Sequence, residues 1–150
     1  MLKIINDLRP FFNDCYRRIN VREYARITSI SPPTASKLLA SYTAKGLLAR
    51  EKLRNYIFYY ANKESGDFID LSRIYWKHEL NEAILYIEKN LVNPSVVLFG
   101  SLSKAEAKSD SDVDLAIFAQ GKALDFGHFE KKIKRRIQPF WFKSLKDVKN

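Results

Sequence analysis

Two short apolar runs constrain the fold more than any other feature of this chain. Ser95-Val96-Val97-Leu98-Phe99 runs into Gly100-Ser101, and ten residues after Ser101 comes Ser111-Asp112-Val113-Asp114-Leu115-Ala116-Ile117-Phe118. Runs of this length, rich in β-formers and closed by small polar residues, read as buried-type strands. In the second run the side chains alternate, so Asp112 and Asp114 share one face while Val113 and Leu115 point into a core. The expected fold class is α+β, with a small sheet that carries helices on one face and two carboxylates on one face of a strand.

Each residue at this junction has a physical use. Gly100 at a strand end lets a phosphate approach the backbone where a Cβ would block it. Ser101 adds a hydroxyl for a phosphate oxygen. A short helix starting near Ser103 would turn its free N–H groups toward the same anion. Asp112 and Asp114, at i and i+2 on a strand, suit a hard cation such as Mg²⁺ or Mn²⁺, which takes oxygen ligands and triphosphate. Taken singly, Gly-Ser and Asp-x-Asp are common; their combination at this spacing, each beside an apolar strand, is far more specific. The other reading of the acids is a solvated turn between core strands.

Composition closes off several classes. With one cysteine in 150 residues, Cys15 allows neither an internal disulfide nor a cysteine-based zinc site. At 46% hydrophobic and 13% aromatic the chain is too apolar for disorder. No apolar run reaches the roughly 18 residues of a membrane span, and the N-terminus lacks a signal peptide's apolar core. A soluble, cytoplasmic protein without membrane contact is the default reading. The net charge is +9, and it is uneven. Residues 1–63 hold 12 Lys and Arg against four acids, a balance of +8, whereas 64–94 stand at −3 and 95–150 at +4. A basic N-terminal third suggests a polyanionic partner.

That third has its own pattern. Val21, Tyr24, Ala25 and Thr28 lie on one helical face, and Ser29-Ile30-Ser31 breaks the pattern. Ser31 followed by Pro32 is a strong helix start, because the serine oxygen caps free N–H groups and proline lacks the one that would go unpaired. Ala35, Leu38, Leu39 and Tyr42 form the apolar face of the next helix, and Gly46 suits its left-handed end. Its outer side offers Thr34, Ser36, Lys37, Ser41 and Lys45. Leu47–Leu53 and Tyr56–Ala61 then read as two strands around Arg54-Asn55, with Arg50, Lys52 and Arg54 on one face. Phe11, Phe12, Cys15 and Tyr16 read as core of the first helix.

Helix, three-residue turn, helix and basic hairpin follow the winged helix-turn-helix order, and residues 1–63 resemble that family. The resemblance implies duplex DNA as partner, met by Thr34, Ser36, Lys37 and Ser41 on the second helix and by Arg50, Lys52 and Arg54 on the wing. The helix offers no arginine for guanine and no Asn or Gln for adenine, so phosphate contact is expected over base readout. The alternative is a winged helix used for dimerisation or partner docking. Residues 64–94 read as a linker, Lys63–Asp67, and one long helix from Leu71 to Leu91 capped by Asp70. The basic run Lys131, Lys132, Lys134, Arg135, Arg136 reads as the solvated face of a helix from about Phe126; the sharper reading has some of these side chains meeting a triphosphate or a nucleic-acid acceptor. His78 and His128 read as surface residues.

Residues 95–143, with the Leu71–Leu91 helix included and 95–150 as the domain, resemble the DNA polymerase beta-like nucleotidyltransferase superfamily through Gly100-Ser101 and Ser111-Asp112-x-Asp114, and most closely its minimal nucleotidyltransferases. The resemblance implies a mixed sheet with helices, a nucleoside triphosphate (ATP first) held by Gly100, Ser101, Lys104 and Ser111, and Mg²⁺ or Mn²⁺ held by the catalytic pair Asp112 and Asp114. Three departures stand out. Ala105 occupies a position that is usually glycine in the loop after Gly-Ser. On the next strand, expected at Ile137–Phe142, Gln138 stands where catalytic members have a third carboxylate, with Glu130, Asp125 and Asp147 as possible substitutes. The chain ends at Asn150, where the family pattern usually continues, so this domain is expected to be C-terminally incomplete. The implied function is transfer of a nucleoside monophosphate from NTP to a hydroxyl. A second is a DNA-binding regulator with an impaired, nucleotide-sensing domain. A third, allowed by the family's habits, is a toxin–antitoxin component with a small helical partner protein. A homodimer is compatible with all three.

Overall fold

The computed structural model describes residues 1–121 and 123–148. The basic N-terminal part is built from α1 (Lys3–Asn13), β1 (Ile19–Asn20), α2 (Val21–Thr28), α3 (Pro32–Ala44), β2 (Leu48–Leu53) and β3 (Tyr56–Ala61). The α3 cap and the glycine exit expected from sequence are in place. Ser31 accepts from Thr34 N at 3.4 Å, and the chain leaves α3 through Gly46 at φ +76°. Asn20 performs the same service for α2, accepting from Glu23 N at 2.9 Å. Tyr24, Ala25, Ala35, Leu39 and Tyr42 turn inward as their spacing requires. Asp7 on α1 gathers the three helices: its carbonyl accepts from the Tyr24 hydroxyl at 2.8 Å, and its carboxylate from Tyr42 at 2.5 Å and Lys3 at 2.6 Å. Burial, first, holds both phenols protonated well above the usual tyrosine range. The strands form an antiparallel sheet in the order β1-β3-β2, with Leu53 opposite Tyr56 across a two-residue turn. Sequence periodicity could not expose β1, which is only two residues long.

The connecting region differs from the single long helix expected. α4 (Gly66–Glu79) and α5 (Asn81–Asn90) meet at Leu80, whose φ of −93° and ψ of 0° break the helical path. Ser65, and not Asp70, caps α4 by accepting from Phe68 N at 3.2 Å; Asp70 lies inside the helix and pairs with Arg73 at 3.2 Å. Leu80 at the break is buried, and Ala83 and Ile87 of α5 also lie in the core.

The second sheet holds β4 (Ser95–Phe99), β5 (Val113–Phe118) and β6 (Ile137–Phe142), with α6 (Gly127–Ile133) before its last strand. β4 runs antiparallel to β5, and β6 parallel to it, in the order β4-β5-β6. The sheet is mixed, as expected. Val113, Leu115, Ile117 and Ile137 bury one face. Leu80 and Ile84 border a groove with Val96, Leu98 and Leu115 on that side. On the opposite face Phe99 meets Phe140 at 5.1 Å and Phe118 meets Phe142 at 5.3 Å between ring centres. β4 is therefore an edge strand with one covered face, and not the fully buried strand its apolar run suggested: Val97 and Phe99 remain exposed.

The apolar interior is continuous between the two parts. The Phe12 ring of α1 lies 5.1 Å from Phe68 and 5.3 Å from Tyr75 on α4. Cys15 is buried as expected, although it follows α1 and does not belong to it; burial pushes its thiol up to about 11. Tyr16 corrects its core assignment. It is exposed, its ring facing Lys63 Nζ at 3.9 Å, an amphipathic ring satisfied at the surface.

Candidate active site

The first constraint on the site is a backbone one. Gly100 ends β4 at φ +74° and ψ −154°, a region closed to residues with a Cβ. A Cβ there would lie 2.2 Å from Asp114 Oδ2 and 3.2 Å from its Cγ. The glycine thus makes room for the Asp114 carboxylate, a use distinct from the phosphate approach expected of it. Ser101 opens a 3-10 turn, Ser101–Lys104, one residue beyond. The Ser103 hydroxyl donates to the Gly100 carbonyl at 2.9 Å, and Arg73 Nε donates to the Ser103 carbonyl at 2.8 Å. Arg73 is a support that sequence reading missed, because nothing local marks it.

Ala105 ends this turn at φ +54° and ψ +43°. The position does demand a left-handed backbone, which costs a residue with a Cβ about 1–2 kcal/mol. The methyl is buried, which returns part of that cost. Lys104 beside it is exposed.

Asp114 lies on β5, directly opposite Phe99 on β4 and Gln138 on β6. Asp112 precedes the strand; its loop position replaces the strand position expected of it. Burial first, and the Asp112 charge second, push the Asp114 carboxyl above the usual carboxylate range. A cation beside the pair would relieve that repulsion. Among the described residues no cluster of three or more potential metal ligands forms. Two carboxylates still fit Mg²⁺, which is commonly held by one or two of them together with substrate phosphates.

The three possible substitutes for a third carboxylate are occupied elsewhere. Glu130 Oε1 accepts from Ile137 N at 2.8 Å, Asp125 Oδ1 from Gly127 N at 2.9 Å, and Asp147 Oδ2 from Ser144 N at 2.7 Å. Ser111 braces its own loop: its hydroxyl accepts from Lys108 N at 2.8 Å. Arg135 departs from the solvated helix face assigned to it. It is buried at 8% exposure, and its Nη1 donates to the carbonyls of Lys108 and Ser111, each at 2.8 Å. Lys131, Lys132, Lys134 and Arg136 are exposed as expected.

A second candidate surface lies on the N-terminal part. Thr34, Ser36, Lys37 and Ser41 are exposed on α3, and Arg50, Lys52 and Arg54 on the β2-β3 hairpin. The Thr34 hydroxyl bonds to that of Ser31 at 2.9 Å, so it belongs to the helix cap. None of the three hairpin cations enters an ion pair among the described residues.

Residues 81–147 match the family model described as Polymerase beta, Nucleotidyltransferase. No curated protein and no solved structure matches the chain. The matched segment runs from α5 through β6 and includes Gly100, Ser101, Asp112 and Asp114. It supports the nucleotidyltransferase superfamily for this part, nucleotidyl transfer as its general chemistry and a nucleotide as its ligand. No described helix is long and apolar enough to cross a membrane.

Proposed function

We propose that the chain is a divalent-cation-dependent nucleotidyltransferase that moves a nucleoside monophosphate from NTP to a hydroxyl. The carrying observation is the close approach of Gly100 to Asp114, which seats a carboxylate beside the start of the Ser101–Lys104 turn. In this reading Ser101, Lys104 and the turn's N–H groups hold triphosphate oxygens, and Asp112 and Asp114 hold Mg²⁺ or Mn²⁺. The bound cation would neutralise the triphosphate and the departing pyrophosphate. The acceptor oxygen bonds to the α-phosphorus as its bond to the pyrophosphate oxygen breaks. The proton passes to water, because Gln138 beside Asp114 accepts none at neutral pH. General-base assistance is worth about 10²–10⁴-fold, so turnover is expected to be slow. The test is label transfer from α-labelled ATP in Mg²⁺, with a panel of hydroxyl acceptors. Transfer that disappears in Asp112→Asn and Asp114→Asn supports the reading; equal signals from all three proteins sink it.

Gln138 also favours a second reading, in which the same site binds Mg²⁺-NTP without turnover and informs a DNA-binding half. Helix, strand, two helices and a hairpin in the order β1-β3-β2 support a winged helix-turn-helix, with Thr34, Ser36, Lys37, Ser41, Arg50, Lys52 and Arg54 toward duplex DNA. Cation-dependent NTP binding without transfer distinguishes this reading from the first.

A further inference from the structure

Arg135 is the one buried charged side chain among the described residues. Lys134 before it takes φ +56°, which ends α6 and turns the following residue inward. The guanidinium then reaches three separate segments. Nη1 donates to Lys108 O and Ser111 O at 2.8 Å, Nη2 donates to Asn13 O at 2.6 Å, and Cζ lies 4.9 Å from the centre of the Trp76 ring. It forms no ion pair among the described residues, although Asp14, Asp110 and Tyr75 lie within electrostatic reach. A desolvated charge held mainly by carbonyls is a costly way to gain stability. Its geometry points instead to placement.

The segment it grips leads directly to the carboxylate pair. Lys108 and Ser111 close a small turn, with Ser111 N donating to Lys108 O at 3.1 Å and Lys108 N to Ser111 Oγ at 2.8 Å. Asp112 is the next residue, and Val113 N is held by Arg136 O at 2.8 Å. From the other side, Cys15 N donates to Ala107 O at 2.8 Å, and Lys108 Nζ lies 5.4 Å from the Tyr16 ring centre.

We propose that Arg135 is a positioning residue: it fixes the Lys108–Ser111 turn, and with it Asp112, against the end of α1, so that the N-terminal half is part of the scaffold of the carboxylate pair. This rests on the reading of Asp112 and Asp114 as cation ligands. Lysine cannot reproduce the role, since one ammonium lacks the planar fork that serves three carbonyls at once.

The test uses the full chain, with Arg135→Lys and Arg135→Met beside Leu39→Ala, a cavity variant in the N-terminal core that leaves the turn untouched. Hydrogen exchange reads the Cys15, Lys108 and Ser111 amides, and electron paramagnetic resonance reads Mn²⁺ binding. Both Arg135 variants are expected to lose at least tenfold protection at those amides and at least tenfold in Mn²⁺ affinity. Leu39→Ala is expected to keep Mn²⁺ affinity within about twofold despite its lower Tm. If Arg135→Met does not fold, Arg135→Lys carries the comparison. Wild-type Mn²⁺ affinity in folded Arg135 variants, or equal weakening in Leu39→Ala, overturns the positioning role alone. A wild type that binds no Mn²⁺ overturns the cation site and the positioning role with it.

Discussion

At Gly100 and Asp114, the glycine's missing Cβ is the space that the carboxylate occupies. Burial and Asp112 together raise the Asp114 carboxyl, so the charged form is disfavoured in the native state relative to the unfolded one. A folded pKa above the unfolded value contributes stability that is fully present below the unfolded pKa and lost as pH rises through the folded one. At neutral pH the wild type therefore carries a destabilising charge. Asp114→Asn is expected to raise Tm at pH 7, with an increment that shrinks as pH falls through the carboxylate range. Thermal melts across pH 4–8 check this, and a Tm at pH 7 below wild type would count against it. The motif residues were legible in sequence because backbone need and carboxylate chemistry are local. Arg135 was not, since a basic run looks the same whether one member turns inward or all stay wet.

At the scale of elements, the cap of α3 and the periodic faces of α2 and α3 read correctly because a helix start and an apolar stripe are near-neighbour properties. The α4-α5 break did not, because buried Leu80 interrupts the helix with no proline or glycine to announce it. β4 misled in the same way: its apolar run is continuous, yet only one face is covered. The β2-β3 hairpin carries Arg50, Lys52 and Arg54 exposed and outside any ion pair among the described residues, which suits phosphate contact. If each meets one phosphate, the triple alanine variant should weaken duplex DNA binding and make its log–log salt slope shallower by about 3. Fluorescence anisotropy between about 50 and 200 mM salt measures it. An unchanged slope would count against any contact between the hairpin and DNA phosphates.

Over the whole molecule, the two parts share one interior. Phe12, Phe68, Tyr75 and Trp76 form a chain of ring contacts from α1 into α4, and Arg135 and Cys15 tie the same end of α1 to the carboxylate loop. Urea unfolding is expected to be one cooperative transition, coincident by far-UV circular dichroism and by the fluorescence of Trp76 and Trp141. Two separated transitions would mean that the halves are energetically independent. The sequence by itself determined the α+β class, the cap of α3, the hairpin and the Gly100-Ser101 and Asp112/Asp114 motifs, because each follows from backbone freedom, side-chain periodicity or the chemistry of a few neighbours. Only the tertiary structure decided that the Asp114 carboxylate fills the space of the missing Gly100 Cβ, that Arg73 supports the turn after Gly100 and that Arg135 joins the two halves at the acid loop. Those are relations between segments far apart in the chain, where strand register and competition for burial, more than local preference, set the outcome.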